Sequence, residues 1–157
     1  MPSFSRSLTP VSKQQIAACE ERLGVKMPAD YRQFLLTVNG GVPNPNCFSY
    51  TLPDGCGESL ADFLYGVGTE RKAGDIEYEQ ELASELDPLP DGFLAIGHDP
   101  GASTLLMATL RKHAGKVYFW DKAWFSEDNK EGTNTFPIAP SFTAFLQSLK
   151  PIEEEDE

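Results

Sequence analysis

The chain has two histidines, His98 and His113, so any chemistry that uses an imidazole passes through one of them. His98-Asp99 sets a base beside a carboxylate of the kind that orients one. Neighbours in a His98-Asp99-Pro100-Gly101 turn project in different directions, however, and a dyad needs its partner to reach the ring through space. Turn chemistry accounts for Asp99 and Gly101, and His113 reads as a solvated residue of a Lys112–Gly115 turn. Zinc would need close pairs of thiolates or imidazoles, and the sequence has no Cys-x-x-Cys and no histidine pair at helical spacing. Ser103 lacks the Gly-x-Ser-x-Gly frame of a nucleophile elbow. Gly66-Val67-Gly68-Thr69 lacks the lysine of a phosphate loop, so its glycines read as a turn after a strand. Carboxylates are numerous, but no spacing singles out an acid–base pair. The expectation is a protein without enzymatic activity, cofactor or metal.

Binding is the other chemistry these residues can do. The formal charge is −11, from 24 acids against 13 bases. Five of the acids are the run Glu153, Glu154, Glu155, Asp156 and Glu157, a self-repelling tail expected to be disordered. The rest is still acidic, which disfavours direct nucleic-acid contact and suits either a basic protein partner or mere solubility. Exposed Trp and Tyr are common interface anchors. Trp124 and Phe125 follow Tyr118-Phe119-Trp120 in a loop, where they serve as anchors or cover the sheet. The candidate partner contacts are Asp99, Asp121, Trp124 and Glu127, all on loops at the ends of strands.

The elements that must position them follow from periodicity. Ser12 and Gln15 form a capping box before a helix that aligns Ile16, Cys19 and Leu23 and stops at Gly24. Pro28 opens a second helix, with Tyr31, Phe34, Leu35 and Val38 as its stripe, ended by Asn39-Gly40-Gly41. Cys47–Leu52 and Asp62–Val67 read as short strands around a Pro/Asp/Gly turn. Asp75–Leu86 reads as a third helix, with Asp75 as cap and Tyr78, Leu82 and Leu86 aligned. Phe93–Ile96, Ser103–Leu110 and Lys116–Asp121 form an antiparallel meander. Ser126–Thr135 is a polar loop, and Ser141 caps a last helix carrying Phe142, Phe145, Leu146 and Leu149.

The expected fold class is α+β: a mostly antiparallel sheet packed with an N-terminal helix pair, one middle helix and a C-terminal helix. Residues 1–11 form an arm, 12–150 the domain and 151–157 the acidic tail. No stretch is apolar enough to cross a bilayer and no secretory leader is recognisable, so the expected setting is the cytoplasm, with no membrane contact. Of the three cysteines, Cys47 and Cys56 flank a turn. That leaves a hairpin disulfide open beside the alternative of reduced, partly buried thiols.

Four motifs in order resemble the SUKH superfamily, of the Smi/Knr type. They are Leu23-Gly24…Met27-Pro28…Tyr31…Phe34-Leu35…Asn39-Gly40-Gly41; Leu89-Pro90…Ile96-Gly97-His98-Asp99-Pro100-Gly101; Gly115-Lys116-Val117-Tyr118-Phe119-Trp120-Asp121; and Ala139-Pro140-Ser141-Phe142…Phe145-Leu146…Leu149. The match spans roughly residues 12 to 150. Met27 replaces a usual Leu, and Ala102-Ser103 a frequent Gly-Asn. The matched residues are fold makers and carry no catalytic information. The resemblance implies a SUKH-like fold and a protein-binding role. Bacterial members are immunity proteins that bind and neutralise a cognate toxin, often a nuclease; fungal relatives regulate cell-wall synthesis, also through partners. A toxin-neutralising binder is therefore the leading expectation, with a general regulatory or scaffold protein as the alternative.

Overall fold

The computed structural model describes residues 1–68, 70, 72–86, 89–121 and 134–152. β1 (Ser3–Ser5) pairs antiparallel with β2 (Val42–Asn44), and β3 (Cys47–Leu52) with β4 (Gly55–Leu60). The main sheet is antiparallel throughout, in the order β5 (Phe63–Leu64), β6 (Phe93–His98), β7 (Thr104–Ala108), β8 (Val117–Trp120) and β9 (Thr135–Ala139). Around it stand α1 (Lys13–Leu23), α2 (Ala29–Thr37), α3 (Ile76–Leu86) and α4 (Phe142–Ser148). The α+β class and the meander are as the sequence predicts.

The helix starts follow local chemistry. Gln15 donates its backbone N–H to Ser12 Oγ at 3.2 Å, and Ser12 N–H donates to Gln15 Oε1 at 2.8 Å, a closed capping box. Gly24, at φ 69°, ends α1 in the left-handed conformation a side chain would oppose. Ser141 Oγ accepts from Ala144 N–H at 3.0 Å to start α4. α2 assists: Asp30 Oδ2 accepts both the N–H and the hydroxyl of Thr143, at 3.0 and 2.9 Å. Above that tie, Phe142 lies 4.8 Å from the rings of both Tyr31 and Phe34. Phe145 and Phe119 close on Phe48 from either side, at 6.2 and 5.3 Å. Phe48, Phe142 and Phe145 are fully buried, and each such burial is worth roughly 2–3 kcal/mol.

Four strands, β1, β2, β4 and β9, are not readable from the sequence. Residues Gly55–Leu60 carry Gly55, Gly57 and Ser59, a composition that disfavours strand, yet they pair with Cys47–Leu52 over all six residues. The Tyr50 ring lies over Gly57, where no Cβ could fit, so the glycine makes room for the aromatic. β9 contains Pro137 and sits at the sheet's end, where a missing N–H is tolerated. Conversely, the expected strand Asp62–Val67 shrinks to Phe63–Leu64, followed by a bridge at Gly66. All five residues of β7 are buried, so the sheet's middle is covered on both faces. Tyr118 is half-buried, its ring edge-on to Phe93 at 5.4 Å. Residues of the expected 126–135 loop and acidic tail lie outside the described residues, apart from Asn134, Thr135 and Pro151-Ile152.

α3 does not bury the stripe its periodicity suggests. Leu82 is exposed and Tyr78 half-buried, whereas Ile76 is buried. The helix is attached by a polar clamp: Gln80 Nε2 donates to Ala95 O, and Ala95 N–H donates to Gln80 Oε1, both at 2.7 Å. β5 reaches only Gly97 and His98 of β6, so the carboxamide stands in for the strand missing beside Ala95. Asp75 caps α3 by accepting from Glu77 N–H at 3.0 Å. The segment before α1 is likewise tied down: Phe4 packs on Phe34 at 5.4 Å, and Leu8 N–H donates to Asn39 O at 3.1 Å.

The three cysteines are free thiols; Cys19 and Cys47 are buried and Cys56 is exposed. In the hairpin register Cys56 faces Thr51 and Cys47 faces Leu60, an offset of about 13 Å that no disulfide spans. Burial, with Glu77 nearby, pushes the Cys19 thiol up to about 12. A chromogenic disulfide reagent should therefore modify Cys56 alone in the native protein, and Cys56→Ser should abolish that reaction until denaturant is added.

Burial raises the Asp75 carboxyl above the ordinary aspartate range, although its backbone hydrogen bonds pull the other way. A carboxyl whose folded value is raised binds its proton more tightly folded than unfolded, so its contribution to stability grows as pH falls through that window. Asp75→Ala should cost about 1 kcal/mol near neutral pH through loss of the cap. The deficit should widen on acidification above pH ~4, read as the difference between paired urea titrations; a shrinking deficit would contradict the raised carboxyl.

Candidate functional site

Two of the four candidate contacts, Asp99 and Asp121, stand where β6 and β8 end beside the β3–β4 hairpin. In register, His98, Thr104 and Trp120 stand side by side across β6, β7 and β8. Asp99 and Asp121 therefore leave the sheet at one end. Asp99 makes the β6–β7 turn from within: its Oδ1 accepts Ser103 N–H at 2.8 Å, and its backbone N–H donates to Ser103 O at 2.9 Å. Ala102 takes φ 64° in that turn. The other carboxylate oxygen accepts the Ser59 hydroxyl from β4 at 2.9 Å, tying the hairpin to the sheet. Asp121 exchanges backbone contacts with Asn134: its N–H donates to Asn134 O at 3.0 Å, and Asn134 Nδ2 donates to Asp121 O at 3.3 Å.

Tyr50 lies in the field of both aspartates. Its ring packs on Phe119 at 4.6 Å and Phe136 at 5.8 Å, leaving the side chain half-buried. Partial burial, then the negative charges of Asp121 and Asp99, push its phenol up, so it stays an uncharged hydroxyl. The result is a half-buried aromatic under the influence of two carboxylates. Tyr50 was missed because nothing local distinguishes it from a core strand residue; only the packing brings Asp99 and Asp121 to it. Trp124 and Glu127, the other expected contacts, lie outside the described residues.

His98 turns away from Asp99, as adjacent residues of a turn should. Its Nδ1 lies 2.9 Å from the Tyr65 hydroxyl, and its Nε2 lies 3.7 Å from Asp62 Oδ2. The ring stacks on Phe63 at 6.5 Å. Burial, then the Glu79 carboxylate, push the Tyr65 phenol well above its ordinary value. The hydroxyl beside the imidazole is thus held in its neutral form, the reverse of an activated nucleophile. His113 Nδ1 meets Lys116 Nζ at 3.1 Å on the exposed side of the domain.

The glycines of the Gly66-Val67-Gly68 segment serve close packing. A Cβ on Gly66 would lie 2.5 Å from Asn39 O, and one on Gly68 2.6 Å from Asp75 Oδ2. Among the described residues, no group of three or more His, Cys, Asp or Glu could hold a metal ion. No helix among them is long and apolar enough to cross a membrane. What this geometry presents is fixed carboxylates, one half-buried phenol and an imidazole.

The chain belongs to the SMI1 / KNR4 family (SUKH-1), whose family model matches residues 10–148. That span takes in every helix and the whole five-stranded sheet. No curated protein matches the chain.

Asp99 serves the turn and the hairpin at once. Asp99→Ala should lower stability by about 1–2 kcal/mol in urea unfolding, whereas Asp99→Asn, which keeps one acceptor for Ser103 N–H, should lose less than half of that. Equal losses in the two variants would mean that the charge, and not the acceptor geometry, holds the turn.

Proposed function

We propose that this chain is a cytoplasmic protein-binding module that neutralises a cognate bacterial toxin, as immunity-type members of its family do. The observation that carries this reading is the combination of the family match over residues 10–148 with a formal charge of −11. An acidic inhibitor is suited to a basic target such as a nuclease, because like-signed surfaces repel and opposite ones accelerate encounter. The contacts are proposed at Asp99, Asp121, Trp124 and Glu127, with Tyr50 as a further anchor between the first two. A half-buried aromatic with carboxylates at its rim supplies contact area and charge complementarity together.

The direct experiment is co-expression with candidate toxin domains of the basic nuclease type from the same host, followed by affinity capture of the full chain. The expected result is restored growth and a stoichiometric complex. A double variant Asp99→Asn/Asp121→Asn should slow association by roughly three- to tenfold at low salt and much less at high salt. No protection and no stoichiometric partner would overturn the reading. Recovery of a housekeeping protein in place of a toxin would assign the chain to a regulatory role.

A further inference from the structure

A second recognition feature lies on the opposite flank of β6 from the Tyr50 site. A cleft of about 500 Å³ opens between the Ser5–Arg6 segment and the Ala73–Gly74 turn, with Asp62, Phe63, Glu79 and His98 lining it. Its inner surface is unsaturated, the Phe63 and His98 rings lying nearly parallel with centroids 6.5 Å apart and 19° between planes. The two carboxylates come from different elements. Asp62 precedes β5 and its side chain is 56% exposed, while Glu79 projects from α3 and is steadied through Oε1 by Gly74 N–H at 3.0 Å. Behind them Tyr65 fixes the imidazole through Nδ1. Arg6, exposed on the rim, makes no ion pair with either carboxylate and holds φ at 57°, which a branched or long side chain rarely adopts.

We infer that this cleft is a receptor for one arginine side chain of the protein partner, its guanidinium plane stacked on Phe63 and His98 and its N–H groups directed to Asp62 and Glu79. This rests on the protein-binding reading above and specifies its chemistry. A guanidinium fits where an ammonium does not, because it is planar, stacks on unsaturated rings and donates along several directions in its plane. Hydrogen bonds to ionised acceptors in a part-buried cleft are stronger than neutral ones. The formal charge of −11 favours a cation over an anion at this opening. Arg6 opposes it as a like charge on the rim, so the cleft's own residue sets how tightly a foreign arginine binds.

The test uses the full chain and a defined probe, Nα-acetyl-arginine amide, titrated at constant pH. The readout is the imidazole proton resonances. With only two histidines, His113 on the exposed surface serves as an internal control. The expected result is a saturable shift of the His98 resonances with His113 unmoved, and no such shift with Nα-acetyl-citrulline amide, the uncharged isostere. Asp62→Asn and Glu79→Gln should each weaken the probe about tenfold, and Arg6→Ala should tighten it severalfold. That last gain cannot come from misfolding. No saturable shift, equal shifts at both histidines, or equal binding of the citrulline analogue would overturn the proposal. No toxin enters this titration, so its failure would leave the neutralisation reading standing.

Discussion

A single buried carboxamide joins the helical and sheet halves of this fold. Asn39 is 1% exposed, sits at φ 58°, and spends all of its side-chain hydrogen bonds on backbone. Its Nδ2 donates to Thr9 O at 2.8 Å and to Val67 O at 2.9 Å, and its Oδ1 accepts Val67 N–H at 2.8 Å. The segment before α1, the end of α2 and the strand-like run after β5 therefore meet at one residue. Aspartate would face two carbonyl oxygens there with a charge, and a hydrophobic residue would leave buried amide groups without partners. The glycines beside it follow from the same crossing: a Cβ on Gly40 would lie 2.7 Å from Leu64 O. Backbones can approach so closely only where side chains are absent.

Everything that reaches the candidate sites hangs from that crossing. The bridge between Gly41 and Leu64 places β5, and β5 sets Asp62 and Phe63 against His98. β6 then carries His98 toward one flank and Asp99 toward the other, because successive side chains of an extended chain alternate. Two surfaces of different chemistry thus arise from consecutive residues.

The sequence is legible where structure is local. Ser12, Gln15, Gly24, Pro28 and Ser141 mark helix ends because each satisfies or avoids a backbone group within its own turn. Asp99 is legible as a turn former for the same reason, since Ser103 is four residues away. It is opaque where partners are distant in the chain. The Ser59–Asp99 tie spans 40 residues and the Tyr65–His98 contact 33, and no pattern of residue types announces either. α3 misleads for a physical reason: Tyr78 and Leu82 have the spacing of a buried face, but Gln80, a polar residue between them, makes the attachment. β4 is hidden because Gly57 makes room for the Tyr50 ring at the expense of strand propensity.

The hairpin formed by β3 and β4 is held on each of its faces by a different chemistry. Glu58 accepts from Lys150 Nζ at 2.6 Å, while its neighbour Ser59 donates to Asp99. A glycine-rich strand with little apolar patterning is weakly specified in register, and a slip of one residue exchanges its faces. Here such a slip would offer the hydroxyl to the lysine and turn the acid toward another acid. The two neighbouring contacts therefore act as a key with unlike teeth: the pairing closes in one alignment, and a composition poor in strand formers still yields one defined ribbon.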